Sequence, residues 1–160
     1  MAIVIGIDVG ISTTKIVGIN EDGKVVSPIR IKATDPVTSL YGAFEKDLYD
    51  NNISLSDIEQ VMLTGVGSAY IDSPIYGLPT GKSDEFLADG LGARYETGLN
   101  RMIVVSMGTG TSLVQCDGDD IRHIGGTGIG GGTLMGLSRI MLKTDDIKQI
   151  VNLAKDGDIS

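Results

Sequence analysis

At the start of the chain, short apolar runs are separated by polar turns, a pattern that is typical of a β-sheet. Residues 2–8 are almost entirely apolar, and a polar turn separates them from a second apolar run over 13–20. Asp22 and Gly23 form a typical hairpin signal, which predicts a third strand near 24–31. The pattern therefore predicts three consecutive antiparallel strands.

The spacing of apolar residues then becomes helical. These residues fall on one helical face: Val37, Leu40, Tyr41, Phe44 and Leu48. Thr34 and Asp35 are residue types that cap helices, and Pro36 suits the first turn. We expect this helix to end at the asparagine pair 51–52 and its apolar face to be core.

The remaining chain predicts a mixture of strands and helices. Strands are predicted over 60–64, 102–106, 112–116 and 120–124, and helices over 84–98, 132–142 and 145–155. Residues 71–82 read as a loop with at most a short strand, and Thr144 or Asp145 as the cap of the last helix. Gly90 and Gly92 suggest close packing against another backbone. Segments 3–31 and 102–124 share the order strand, glycine loop, hairpin, which indicates two related subdomains in an α/β protein.

Glycines and hydroxyl residues cluster in two loop regions, DVGISTTK at 8–15 and the stretch 105–132. Such loops turn main-chain N–H groups towards a ligand and bind anions, and a helix start after the second cluster adds to this. We expect the two regions to bind one polyphosphate. The predicted phosphate contacts are Gly10, Ser12, Thr13, Thr14, Lys15, Gly108, Thr109, Gly110, Thr111, Gly130, Gly131 and Gly132. Lys15 could equally be a solvent-facing strand residue.

Composition limits the classes of partner that the 160-residue chain is expected to bind. The net charge of −8 argues against nucleic acid and anionic membranes, and no apolar run has the roughly 20 residues of a membrane helix. One cysteine, Cys116, excludes an internal disulfide. We expect a cytoplasmic protein that holds phosphate with main-chain dipoles, a few cations and a metal ion. Asp8, at the end of an apolar strand, is the predicted Mg²⁺ ligand; its alternative role is to cap the turn at Gly10.

Several motifs together resemble the type II pantothenate kinases, which belong to the actin, hexokinase and Hsp70 superfold. They are DVGISTTK, LTGVGSAYI, DEFLADGLG, and SMGTGTS followed by GGTGIGGGTLMGL. The resemblance implies a ribonuclease H-like (actin-like ATPase) mixed sheet with flanking helices. Residues 1–98 would form the first lobe and 101–160 the beginning of an incomplete second lobe. It also implies ATP-dependent phosphorylation of pantothenate to 4'-phosphopantothenate, the first step of coenzyme A biosynthesis. The full protein would be a homodimer, and this chain an N-terminal portion that is inactive alone.

The resemblance assigns roles to single residues. Glu85, in the DEF segment, would activate the substrate hydroxyl as the catalytic base, with Asp84 as the helix cap. Thr109, Arg122, His123 and Gly125 would contact pantothenate. The family usually has an arginine at position 123, and strand neighbours point to opposite faces. Three possibilities follow: a bulge re-aims Arg122, His123 takes its place, or the substrate differs.

Two alternatives to a pantothenate kinase stay open. The first is a kinase of the same fold for another small hydroxyl acceptor, such as a sugar. The second is an ATPase switch or activator, although members that hold a cysteine-bound cluster need more than Cys116. The acidic residues around Gly118, which are Asp117, Asp119 and Asp120, are typical of a hairpin turn rather than a metal site.

Overall fold

The computed structural model describes residues 2–33 and 35–158. The chain divides into two compact units between Ala88 and Asp89. The assignment of 1–98 and 101–160 as first and second lobes stays a prediction. No helix among the described residues is both long and apolar enough to cross a membrane.

The first unit is built on a five-stranded sheet in the order β3-β2-β1-β4-β5. Its elements are β1 (Ile3–Val9), β2 (Thr13–Asn20), β3 (Val25–Lys32), α1 (Pro36–Asn51), β4 (Ile58–Thr64) and β5 (Thr80–Lys82). β1, β2 and β3 form antiparallel pairs, as predicted, whereas β4 pairs in parallel with both β1 and β5. The predicted loop 71–82 contains β5 and a short 3₁₀ turn, Ile75–Gly77.

One face of this sheet packs against α1. Alternate residues of β1, from Ile3 to Val9, are buried and belong to the same apolar cluster as Leu40 and Phe44 of the helix. Asp35 caps the helix by accepting a hydrogen bond from Thr38 N at 2.7 Å, and Asn52 ends it with a φ of 58°. Thr34, the other predicted cap, lies outside the described residues.

The prediction that the whole apolar face of α1 is core was wrong at Val37. Leu40 and Phe44 are fully buried, whereas Val37 in the first turn is 37% exposed. Val37 is exposed because it lies in the first turn of the helix, before the buried part of α1, which begins at Ser39.

The second unit contains a three-stranded antiparallel sheet in the order β6-β7-β8. Its elements are β6 (Arg101–Met107), β7 (Thr111–Asp117), β8 (Asp120–Thr127), α3 (Gly131–Met141) and α4 (Ile147–Lys155), and α2 (Glu85–Thr97) runs into it from the first unit. The acidic segment 117–120 is the β7–β8 turn, with Gly118 at a φ of 62°. The turn prediction is therefore confirmed.

Helix α2 approaches the sheet at Gly90. A Cβ atom there would lie 2.5 Å from Ile121 Cγ2 and 3.1 Å from Cys116 Sγ. The expectation that Gly90 and Gly92 approach another backbone is corrected, because Gly90 meets side chains and Gly92 has open space around it. Arg94 then donates to Gly118 O at 2.8 Å and so ties the helix to the hairpin turn.

Asp146 caps α4, not the predicted Thr144 or Asp145. Its Oδ1 accepts from Lys148 N at 2.9 Å and from Gln149 N at 3.4 Å. Asp145 instead forms an ion pair with Arg139 at 3.5 Å. Only Asp146 directly precedes the first helical residue, so only its side chain reaches the N–H groups that the first turn leaves without acceptors.

Candidate functional site

The parallel strands of the first unit bring several predicted site residues to one edge of the sheet. β1, β4 and β5 run in the same direction, so their carboxyl ends meet there. Asp8 pairs in register with Thr64, the last residue of β4, and Glu85 follows shortly after the end of β5 at Lys82. Ligands of open α/β sheets bind outside the carboxyl ends of strands. This edge is therefore the candidate site of the first unit.

The carboxylate of Asp8 bonds Lys15 on one side and lies close to Gly65 on the other. Lys15, its cross-strand partner, donates to Asp8 Oδ2 at 2.5 Å. On the other side, a Cβ atom on Gly65 would lie 2.4 Å from Asp8 Oδ1, so only glycine fits. The turn at Gly10 is closed by the main chain, with Gly10 N donating to Thr13 O at 3.0 Å. Asp8 therefore lies at the end of β1, and its side chain is not what closes that turn.

The hydroxyl residues around this edge differ in accessibility. Thr14 is fully buried on the core face, and its Oγ1 has no hydrogen-bond partner among the described residues. Lys15 points to the opposite face, beside Asp8. The structure therefore brings Lys15 to the candidate site but leaves the hydroxyl of Thr14 in the core, where it does not reach a phosphate. Ser12 lies in the turn, and its carbonyl accepts from Ala33 N at 2.9 Å.

Thr64 is a residue that sequence reasoning missed. Its Oγ1 is buried next to Asp8 in register and makes no hydrogen bond within the described part of the chain. Buried hydroxyls normally have a partner. The signal available in the sequence was its position as the polar last residue of an apolar strand, directly before Gly65.

In the second unit, the two glycine-rich loops bind each other. Gly131 N donates to Gly108 O and Gly132 N to Thr109 O, both at 2.9 Å. Thr111 Oγ1 donates to Ile129 O at 2.8 Å. The loops 108–111 and 127–132, which we call the paired loops, therefore form one structure at the start of α3.

Glycine is required within the paired loops for close backbone contact. A Cβ on Gly130 would lie 2.7 Å from Thr109 O and 2.8 Å from Gly110 Cα. The N–H groups of Gly131 and Gly132, which the sequence assigned to phosphate, already donate to loop carbonyls. In this conformation they are not donors for a phosphate, so the anion-binding argument fails for these two N–H groups.

Arg122 and His123 lie on opposite faces of β8. Arg122 pairs with Gln115, to which its Nη2 donates at 3.4 Å, and His123 pairs with buried Val114. A bulge is present, but it falls at Ile124, after both residues. It therefore leaves Arg122 pointing away from the face of His123.

Comparison with known proteins adds the family context of this geometry. The Fumble family profile matches residues 94–160. The type II pantothenate kinase of Bacillus cereus (strain AH820) is 30% identical over 96% of this chain, and that of Staphylococcus epidermidis is 32% identical over the same share. The chain resembles type II pantothenate kinases along nearly its whole length. It spans about half of their length, 54% and 55%.

Solved structures show the fold. One is the activator of the 2-hydroxyisocaproyl-CoA dehydratase from Clostridium difficile, with bound ADPNP, which matches this chain with a TM-score of 0.76 and 15% identity. The match spans 98% of this chain and 57% of the activator. A ROK family protein from Streptococcus pneumoniae in complex with sucrose matches 98% of this chain and 68% of its own, with a TM-score of 0.58 and 15% identity. The chain has the actin-like ATPase fold, a mixed sheet with flanking helices.

Proposed function

We propose that the whole protein transfers the γ-phosphoryl group of ATP to pantothenate and forms 4'-phosphopantothenate. The observation that supports this most directly is the shared edge of the first sheet, where Asp8 lies at the end of β1 and the DEF segment follows β5. The curated relatives named type II pantothenate kinase support the choice of substrate.

A divalent cation fits the surroundings of Asp8. The carboxylate lies beside the buried hydroxyl of Thr64, which has no partner among the described residues. Oxygen ligands of this kind suit Mg²⁺, which keeps several waters and binds through one or two carboxylates plus phosphate. Asp8 would hold the ion, and Mg²⁺ would neutralise charge on the phosphates. Lys15, now bound to Asp8, is the second positive charge available to them.

Glu85 would act as the base. Asp84 caps α2 by accepting from Leu87 N at 3.0 Å, so helix capping does not require the Glu85 carboxylate. Glu85 lies in the first helical turn, where the helix dipole favours the ionised carboxylate that a base needs. In the transfer, Glu85 accepts the proton of the primary hydroxyl, the hydroxyl oxygen bonds to the γ-phosphorus, and the bond to ADP breaks.

The acceptor would be bound by residues of the second unit. Thr109 would hydrogen-bond pantothenate, and Gly125 would also contact it. The carboxylate of pantothenate requires a cation, and Arg122 and His123 point to opposite faces of β8. Only one of them can therefore take part.

The substitution Glu85→Gln tests this function. It removes the base but keeps the size of the side chain, so kcat for pantothenate phosphorylation should fall about 100-fold or more, while the Kd for Mg²⁺·ATP changes less than about threefold. ADP release in the whole protein and calorimetric nucleotide binding measure the two effects. Glu96→Gln, at the other end of the same helix, is the matched control and should resemble the unaltered protein. Equal kcat in both variants would show that Glu85 is not the base.

A further inference from the structure

We infer that Gly132 is a positioning residue that fixes the rotamer of Thr109. The first turn of α3 contacts Thr109 in two ways. Gly132 N donates to the carbonyl of Thr109 at 2.9 Å, and the γ2 methyl group of Thr109 lies over the place where a side chain at 132 would begin. A Cβ on residue 132 would be 2.6 Å from Thr109 Cγ2 and 3.0 Å from Thr109 O.

The backbone at Gly132 does not by itself call for glycine. The residue is helical, near the N-terminus of α3, and it does not have a positive φ. Alanine is the better helix former at such a position. Gly136, in the same helix, shows the contrast, because a Cβ there meets nothing within 4 Å. The contact with Thr109 is therefore the structural reason for glycine at 132.

The contact determines where the hydroxyl of Thr109 points. The methyl and hydroxyl groups of threonine occupy two of three staggered positions about χ1. With the methyl group against Gly132, the chirality of the Thr109 Cβ atom fixes which of the other two positions the hydroxyl occupies. A methyl group on residue 132 displaces the methyl of Thr109 and moves the hydroxyl with it.

This positioning sets acceptor affinity, a step that rests on the proposed function, in which Thr109 hydrogen-bonds pantothenate. In the whole protein, Gly132→Ala should raise the KM for pantothenate about tenfold, the effect of one hydrogen bond, with kcat within about threefold. Thr109→Ser, which keeps the hydroxyl and removes the methyl, is the reference for the double variant described next. Gly136→Ala is the matched control and should leave KM unchanged.

The double variant Gly132→Ala with Thr109→Ser decides between positioning and general damage. Serine has a hydrogen where threonine has the methyl, so it removes the 2.6 Å contact of a Cβ at 132 and lets the hydroxyl keep its original position. The 3.0 Å contact with the carbonyl oxygen of residue 109 stays in both variants. KM should then return to within about twofold of Thr109→Ser alone. A double variant as impaired as Gly132→Ala would overturn the inference.

A second readout is independent of catalysis. Three-bond couplings from the γ2 methyl carbon of Thr109 to its backbone nitrogen and carbonyl carbon report χ1 directly. They should change in Gly132→Ala and stay unchanged in Gly136→Ala. Unchanged couplings in Gly132→Ala would overturn the inference. If pantothenate is not phosphorylated at all, the proposed function fails, and these couplings still decide whether Gly132 positions Thr109.

Discussion

At the scale of single residues, the pair Asp8–Lys15 links the fold to the proposed chemistry. The two residues are cross-strand neighbours because the turn after β1 sets the register of β2. Lys15 is half-exposed, and exposed ion pairs contribute about 0–1 kcal/mol to stability. Holding the strands together is therefore a small part of what this lysine could do. Its charge beside the predicted metal ligand matters more for a phosphate ligand.

Lys15→Met tests this interpretation. Loss of one charge-assisted contact should weaken Mg²⁺·ATP binding about tenfold, while the free energy of unfolding changes by less than about 1 kcal/mol. Isothermal titration calorimetry and urea denaturation measure the two quantities. Lys24→Met, in the exposed β2–β3 turn, is the control. If both variants bind the nucleotide equally, Lys15 is an ordinary solvent-facing strand residue.

At the scale of elements, hydrophobic pattern and turn chemistry predicted most of the structure. β2 begins and ends as predicted, and α1 ends at the asparagine pair. The approach of Gly90 to Cys116 and Ile121 was not predictable in detail, because glycine in a sequence does not say which atoms approach it. The same holds for the paired loops, where contacts between distant segments account for glycines that the sequence assigned to a ligand.

Helix α1 contains a buried carboxylate that affects stability. Asp47 is 1% exposed, and its Oδ2 has no hydrogen-bond partner among the described residues. Burial raises the pKa of Asp47 above 3.8; the hydrogen bond from Asn51 opposes this, and the charge of Asp50 adds to it. A raised pKa in the folded state means that the folded protein binds the proton more tightly than the unfolded chain. The stability contribution is complete below the unfolded pKa near 3.8 and is lost as pH rises through the folded pKa.

Asp47→Asn should therefore be more stable than the unaltered protein at pH 7, by an amount on the order of 1 kcal/mol. The asparagine avoids the buried charge and still accepts the hydrogen bond from Asn51. The advantage should shrink as pH falls towards 4, because Asp47 then becomes neutral. Urea denaturation at several pH values measures the difference. A difference that does not depend on pH would show that burial of the charge has no role.

At the scale of the whole molecule, the chain comprises two units and spans about half the length of its curated relatives. In the second unit, apolar side chains on one face of β6 are exposed: the exposed fraction is 62% for Ile103 and 78% for Met107. The sequence predicted the fold class through its motifs and the position of Asp8 near the end of a strand. It did not predict the buried hydroxyl of Thr64 or the internal use of the Gly131 and Gly132 N–H groups, because both depend on contacts between distant segments.

Phosphorylation of pantothenate is tested by measuring ADP release from Mg²⁺·ATP in the whole protein with three acceptor conditions: pantothenate, N-acetylglucosamine and no acceptor. We expect ADP release to depend on pantothenate and to match the 4'-phosphopantothenate formed, detected by mass spectrometry. Release at the same rate without an acceptor would indicate an ATPase switch, and release only with N-acetylglucosamine would indicate a sugar kinase. Either result would contradict the proposed function.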